Sequence, residues 1–335
     1  PPRSTLFPYT TLFRSQKNRE AVKYLLIAVG VSFVLSRLMV GNFLFTIPLM
    51  VLAPKFSDRK GELLPVILVG ALILLTELIR SRNALSSEEG RILLVIGLFI
   101  PSVLLVASAV WIASVNQRTV YRYLASCLFG VVASFAVVIW FSKPTEPLMR
   151  VNSVMYETFR LILGQASGTT DSVLPMAEDA IKGVYHMSVL MIGAVLAPLC
   201  MALVGFASFL AMSYQARFDG GFSVRVSKWK VPDHLIWIFL GSWTVVLLLI
   251  LAKAGYLARA LSLQVALGSA VLYAVQGMAI VTHFMLRKGI AVNTGRLVTT
   301  TFLLAFLIPG VNLLVVFVLP LLGVTETWIV YRRNE

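Results

Sequence analysis

Acidic residues are scarce in this chain: Asp and Glu number 15 against 29 Lys and Arg, and only 13% of the residues carry charge. Soluble domains hold about 25% charged and about 45–50% apolar residues, whereas the apolar share here is 58%. A water-soluble fold of this composition would expose more contiguous apolar surface than a monomer tolerates. Lipid removes the difficulty, because it solvates apolar faces. Cysteine is nearly absent, and both copies, Cys127 and Cys200, lie inside apolar runs. They read as small buried side chains, not as a disulfide or a thiolate metal pair. His186, His234 and His283 are far apart and share no carboxylate pattern, so no metal centre is expected. The sequence contains no Gly-rich loop ending in Lys-Ser or Lys-Thr, no Gly-x-Ser-x-Gly elbow and no His-Glu-x-x-His. No catalytic residues and no cofactor are therefore assigned. Paired carboxylates within the apolar runs are also missing, which argues against a proton-driven pump.

What the chain has is a succession of apolar runs punctuated by basic groups, with a formal net charge of +14. Lys and Arg between apolar runs face anionic lipid and the cytoplasm, so the excess charge is not a nucleic-acid footprint. The expected fold is all-α, a polytopic transmembrane bundle of about 8–9 spans, each needing about 20 residues. The bilayer is its first partner, and the expected location is a bacterial inner membrane with a cytoplasmic N-terminus.

Pro1–Ser15 resembles a translated sequencing adapter and is set aside, leaving 16–335 as one membrane domain. An apolar run from Tyr24 to Leu35 is interrupted by Arg37 and resumes from Leu38 to Ala53. Gly41 and Pro48 favour two short spans there, with a re-entrant segment as the alternative. Further spans are expected over Leu63–Ile79, Ile92–Ala113, Tyr123–Phe141, Tyr185–Met212, Leu235–Leu251, Ala260–Leu286 and Leu297–Leu319. Residues 142–183 are more polar and read as extramembrane. There the spacing predicts an amphipathic helix over Val151–Leu163 and a second helix over Val173–Tyr185. Glu77 stands near the end of its span and is expected to pair with Arg80 at the interface. Nine spans keep the basic loop inside; eight bring Arg332 and Arg333 inside instead.

The chain is organised around 184–286 and its loop from Gln215 to His234. In that loop Arg217, Arg225, Lys228 and Lys230 form a basic membrane-surface set, with Trp229 as an interfacial anchor. Pro232 and Asp233 are expected to open the next helix. In the following run, Ser262, Ser269, Tyr273 and Gln276 share one helical stripe at about 100° per residue, with His283 at its edge. Ala266, Ala270 and Ala274 flank it and suit close helix approach. Such a stripe either bonds a neighbouring helix or lines a ligand cavity. Pro309-Gly310 and Asn312 mark a break in the last span of the kind that builds transporter sites. The tentative ligand set is Ser269, Tyr273, Gln276, His283 and Asn312.

Three segments carry a family likeness: Lys230-Val-Pro-Asp-His-Leu-Ile-Trp237, Leu272-Tyr-Ala-Val-Gln-Gly277 and Leu322-Gly-Val-Thr-Glu-Thr-Trp-Ile-Val-Tyr-Arg-Arg333. With them the C-terminal half resembles the YybS-like family of bacterial multi-pass membrane proteins, in which Asp tends to replace Glu326. The N-terminal half matches through Ile47-Pro-Leu-Met50. The family is similar in predicted fold to the S components of energy-coupling-factor vitamin transporters. That resemblance implies an embedded binding subunit without its own ATPase, working with a coupling ATPase or another membrane-protein partner. Where S components carry Ala-x-x-x-Ala, this chain has Ala28-Val-Gly-Val-Ser32. The resulting expectation is a small-molecule-binding or transport subunit; the alternative is a cell-envelope scaffold or assembly factor.

Overall fold

The computed structural model describes residues 9–38, 41–56, 59–167, 175–219, 221–290, 293–308, 310–329 and 331–332. Among them the chain forms twelve α-helices and no strand. These are α1 (Tyr9–Arg37), α2 (Thr46–Leu52), α3 (Arg59–Arg80), α4 (Glu88–Ala113), α5 (Thr119–Phe141) and α6 (Glu146–Ser167). The second half adds α7 (Pro175–Gln215), α8 (Phe222–Ser227), α9 (Leu235–Leu251), α10 (Tyr256–Arg287), α11 (Thr294–Leu307) and α12 (Val311–Thr325).

Five helices are long and apolar enough to cross a membrane, within α3, α4, α5, α7 and α10, and shorter apolar helices accompany them. Their outward faces stay apolar: Ile67, Leu128, Ile192 and Leu247 are each more than 60% exposed. Water would penalise such faces, and hydrocarbon does not. The inward faces meet in one core containing Ala28, Phe45, Leu49, Val69, Leu104, Ala107 and Val204.

Two ends of the bundle can be told apart. Antiparallel α5 and α7 are tied by Tyr123 Oη donating to the Met201 carbonyl at 2.9 Å, with Gly130 against Cys200 further along. α7 and α10 run parallel, Gln264 lying by Gly193 and Gly268 by Met201. The C-termini of α7 and α10 therefore share one end with the Gln215–Lys230 loop, here the loop end. The C-terminus of α5 and the N-termini of α6 and α10 share the other.

Several expectations change in three dimensions. The expected helix over Val173–Tyr185 is not separate, because its 175–185 part forms the first turns of the 41-residue α7; Val173 lies outside the described residues. At about 1.5 Å per residue, α7 is twice as long as a bilayer core is thick. Its projecting turns pack on the amphipathic α6, where Tyr185 Oη donates to Asn152 Oδ1 at 2.6 Å. The 38–53 stretch is no continuous span. A 3-10 turn, the seven-residue α2 and a second 3-10 turn carry the chain back toward the loop end. There the Met50 carbonyl accepts from Gln215 at 3.3 Å. Glu77 does form an ion pair, but with Arg37 of α1 at 2.7 Å, not with Arg80. α9 spans Leu235–Leu251, the bounds of the expected apolar run, so Pro232 and Asp233 precede the helix instead of opening it, and Asp233 pairs with Lys230 at 2.7 Å.

The last expected span, Leu297–Leu319, is a hairpin. α11 runs antiparallel to α7, Gly295 lying against Ser213 and Phe302 stacked on Phe206 with ring centroids 3.9 Å apart. The chain then reverses, since Gly323 lies beside Tyr273 and Gly277 in the lower half of α10. Gly310 stands at φ 98°, a conformation side chains resist; its neighbour Pro309 lies outside the described residues. Asn312 Oδ1 accepts from the Gly310 and Leu313 amides at 3.1 and 2.7 Å, satisfying donors that the new helix leaves open. Neither the nine-span nor the eight-span alternative foresees the outcome: the reversal returns Arg332 to the same end as the Gln215–Lys230 loop.

α12 reaches α10 because two glycines let their backbones touch. A Cβ on Gly277 would lie 2.1 Å from the Leu319 carbonyl oxygen, and one on Gly323 would lie 2.1 Å from that of Tyr273. Alanine at either position therefore has to push the helices apart, a strain typically of about 1–3 kcal/mol. Gly277→Ala and Gly323→Ala are each expected to lower the thermal unfolding temperature in detergent by several degrees. Gly97→Ala, where a Cβ meets nothing within 4 Å, is expected to leave it unchanged.

Candidate functional site

The helical stripe predicted on α10 is real in its spacing but faces the protein. Tyr273 is buried beneath Val231, Ile236 and Val324, with Phe239 edge-on at 5.4 Å. Ser262 and Ser269 return their hydroxyls to carbonyls of their own helix, at 3.0 and 2.7 Å. Gln276 is only 1% exposed and its amide is engaged on both sides. Its Oε1 accepts from the Val231 amide at 2.8 Å. Its Nε2 donates to the Gly323 carbonyl at 3.1 Å and to Glu326 Oε2 at 2.8 Å. The tentative ligand set is not brought together: His283 lies two turns further on with its ring edge-on to Phe284, and Asn312 is exposed at the start of α12.

Glu326 and Arg332 complete a knot that spacing did not reveal. The Arg332 guanidinium embraces both Glu326 oxygens and donates to the Ser227 and Trp229 carbonyls, at 2.5 and 2.9 Å. Both side chains are nearly buried, 11% and 4% exposed. Burying the pair is tolerated because the carboxylate has three donors and the guanidinium four acceptor contacts. The knot fastens the basic loop, α10 and the C-terminal segment together. A carboxylate just after an apolar run, followed by arginine at i+6, was the only available signal.

The rest of the basic loop is surface. Arg217 lies over the Tyr214 and Phe218 rings, at 4.5 and 4.8 Å. Phe218 is 90% exposed, as suits an aromatic at a membrane interface. The Arg225 guanidinium and the Gly221 amide hold the Asp219 carboxyl below its usual range. Trp229, expected as an interfacial anchor, packs instead against the Tyr273 cluster.

A concave site opens at the other end, at the junction of α5, α6, α7 and α10, with a volume of about 680 Å³. Ser142, Lys143, Asn152, His186, Tyr256 and Arg259 are its polar lining residues. Phe141, Leu148, Met149, Met187 and Leu190 supply much of its apolar wall. No Asp or Glu is among the lining residues. The Arg259 Nε is buried without a hydrogen-bond partner. Neither Arg259 nor Lys143 has a carboxylate within ion-pair distance among the described residues. Nearby Arg150 shows the contrast, since it holds both Glu146 and Glu89. Two turns deeper, Gln264 Nε2 donates to the Gly193 carbonyl at 2.6 Å while its buried Oε1 has no partner. Sequence reasoning missed this group because its members come from four different helices. Among the described residues no cluster of His, Cys, Asp or Glu could hold a metal ion.

No family model matches this chain, and no curated protein or solved structure shows significant similarity to it. The molecule's class is thus defined by its own geometry: a membrane-embedded helical bundle with a closed polar knot at one end and a cationic cleft at the other.

Removing one partner of a buried ion pair typically costs about 3–5 kcal/mol, because the other charge stays buried. Glu326→Gln and Arg332→Gln are each expected to lower the denaturation midpoint in detergent clearly. The double variant should lose less than the sum of the two, as directly interacting residues do.

Proposed function

We propose that this protein is a ligand-binding subunit of a bacterial inner membrane, of the transport-associated kind implied by the YybS-like resemblance, with the α5–α6–α7–α10 cleft as its ligand site. The observation that carries the reading is Arg259: a guanidinium with a buried, unpartnered Nε, in a concave site without acids. Ligand pockets are concave, largely apolar and provided with a few placed polar groups, and volumes of about 300–1,000 Å³ are usual. A buried guanidinium Nε left without an acceptor costs folding free energy that a ligand would recover. The polar stripe of α10 supports packing and not binding, since Gln276 has no donor left over.

The charge distribution supports a cytoplasmic loop end. Lys23, Lys55, Arg118, Arg122, Arg217, Arg225, Lys228, Lys230, Arg287, Lys288, Arg296 and Arg332 gather there, against Arg37, Arg80, Arg82, Arg91, Lys143, Arg150, Arg160, Lys182, Lys253 and Arg259 at the cleft end, a modest excess of basic residues. In this orientation the N-terminal helix starts inside, the α11–α12 hairpin enters and leaves from the same side, and the cleft opens outward. The hairpin helices, 14 and 15 residues long, are each shorter than the about 20 residues a span needs. On this reading the hairpin is re-entrant.

Gly183→Trp tests the site. Gly183 lines the cleft, and a Cβ there meets nothing within 4 Å, so the indole can occupy the space without displacing the wall. Protein purified from native membranes in mild detergent is expected to release a small molecule on organic extraction, detected by mass spectrometry. The Trp variant should carry at least tenfold less of it. If neither form releases a small molecule, and both retain the same envelope proteins, the chain is a scaffold instead.

A further inference from the structure

The cleft's chemistry narrows what it takes, and this step rests on the cleft being a ligand site. We propose that its ligand is an amphipathic anion: a phosphoryl-type head held by Arg259 and Lys143, with an alkyl tail along Met149, Met187 and Leu190.

The head follows from charge. A lysine and an arginine line one cleft with no carboxylate among its lining residues, although acids are available close by. Glu146 and Glu89 both engage Arg150, and Glu178 engages Lys182. The cations of the cleft are left for something that the described residues do not supply. A guanidinium presents its donors in a planar fork that suits tetrahedral and planar oxyanions. Asn152 strengthens the match: its Oδ1 already accepts from Tyr185, which leaves its amide hydrogens as donors. Tyr256, another lining residue, carries a hydroxyl that can donate as well. An incoming cation would meet two like charges at this site.

The tail follows from the wall. Met149 and Met187 are 55% and 56% exposed, unbranched, and adaptable to an alkyl chain. Met149 belongs to the amphipathic α6 and Met187 to α7, just beyond its projecting turns. A small inorganic anion would use the cations and leave this apolar surface uncovered. An uncharged amphiphile would use the wall and leave Arg259 without a partner. Only a molecule with both parts satisfies the whole lining.

The test uses the full chain in mild neutral detergent and three probes: dodecyl phosphate, dodecanol and inorganic phosphate. Binding is read by isothermal titration calorimetry at concentrations below micelle formation. The expected result is that dodecyl phosphate binds at least tenfold more tightly than either other probe. Arg259→Gln should weaken it at least tenfold, Arg259→Lys should restore part of the loss, and Arg150→Gln should change nothing. Monodisperse elution and an unchanged unfolding temperature check that each variant is folded. Equal binding of dodecanol, or unchanged binding by a folded Arg259→Gln, overturns the anionic head. Equal binding of inorganic phosphate overturns the tail and makes the ligand a soluble anion. In either case the cleft remains a ligand site. If no probe binds and the Gly183→Trp comparison also shows no released molecule, both readings fall together.

Discussion

A polar atom in hydrocarbon has no water to turn to, so its partner must be protein or ligand. That constraint sorts the polar groups of this bundle into two kinds. Gln276 finds three partners, one in the basic loop and two at the end of α12, and Glu326 and Arg332 neutralise each other between carbonyls. The Arg259 Nε and the Gln264 Oε1 find none. The first kind is architecture. Of the unpartnered atoms among the described residues, which include those of Ser32, Thr46, Tyr156, Trp243 and Thr294, the Arg259 Nε alone belongs to a residue lining the cleft, where the structure has room for something else.

The knot also explains the shape of the C-terminal third. α12 can lie on α10 only because Gly277 and Gly323 remove the side chains between the two backbones. Close backbone approach through small residues is the usual means of helix association in lipid, where apolar burial gives little preference for protein over acyl chains. The contact then places the Gly323 carbonyl and Glu326 within reach of Gln276, and the C-terminal segment brings Arg332 to the loop. Packing and polar satisfaction are thus one arrangement, and weakening either exposes the other.

Much of the fold was legible in the sequence. Long apolar runs showed where α3, α4, α5, α7, α9 and α10 lie, because their hydropathy signal is local. The break at Gly310 was legible for the same reason. Its consequence was not: a Pro-Gly pair shows that a helix stops, but not that the chain turns back. Side counting by Lys and Arg failed for the C-terminus on that account, since one unforeseen reversal inverts every later assignment. The α10 stripe was read correctly as inward-facing, yet its meaning depended on partners 45 to 50 residues away in sequence. The cleft was illegible. Lys143, His186 and Arg259 each look like an ordinary polar residue at the edge of an apolar run, and only the meeting of four helices makes them neighbours.

The most direct measurement is an electron cryo-microscopy map of the full chain, with a rigid binder for alignment, in nanodiscs containing anionic phospholipid. The account predicts elongated density in the α5–α6–α7–α10 cleft, its head against Arg259, with continuous density joining Gln276, Glu326 and Arg332. An empty cleft, together with ligand density at Gln276 and a separated Glu326–Arg332 pair, would contradict it.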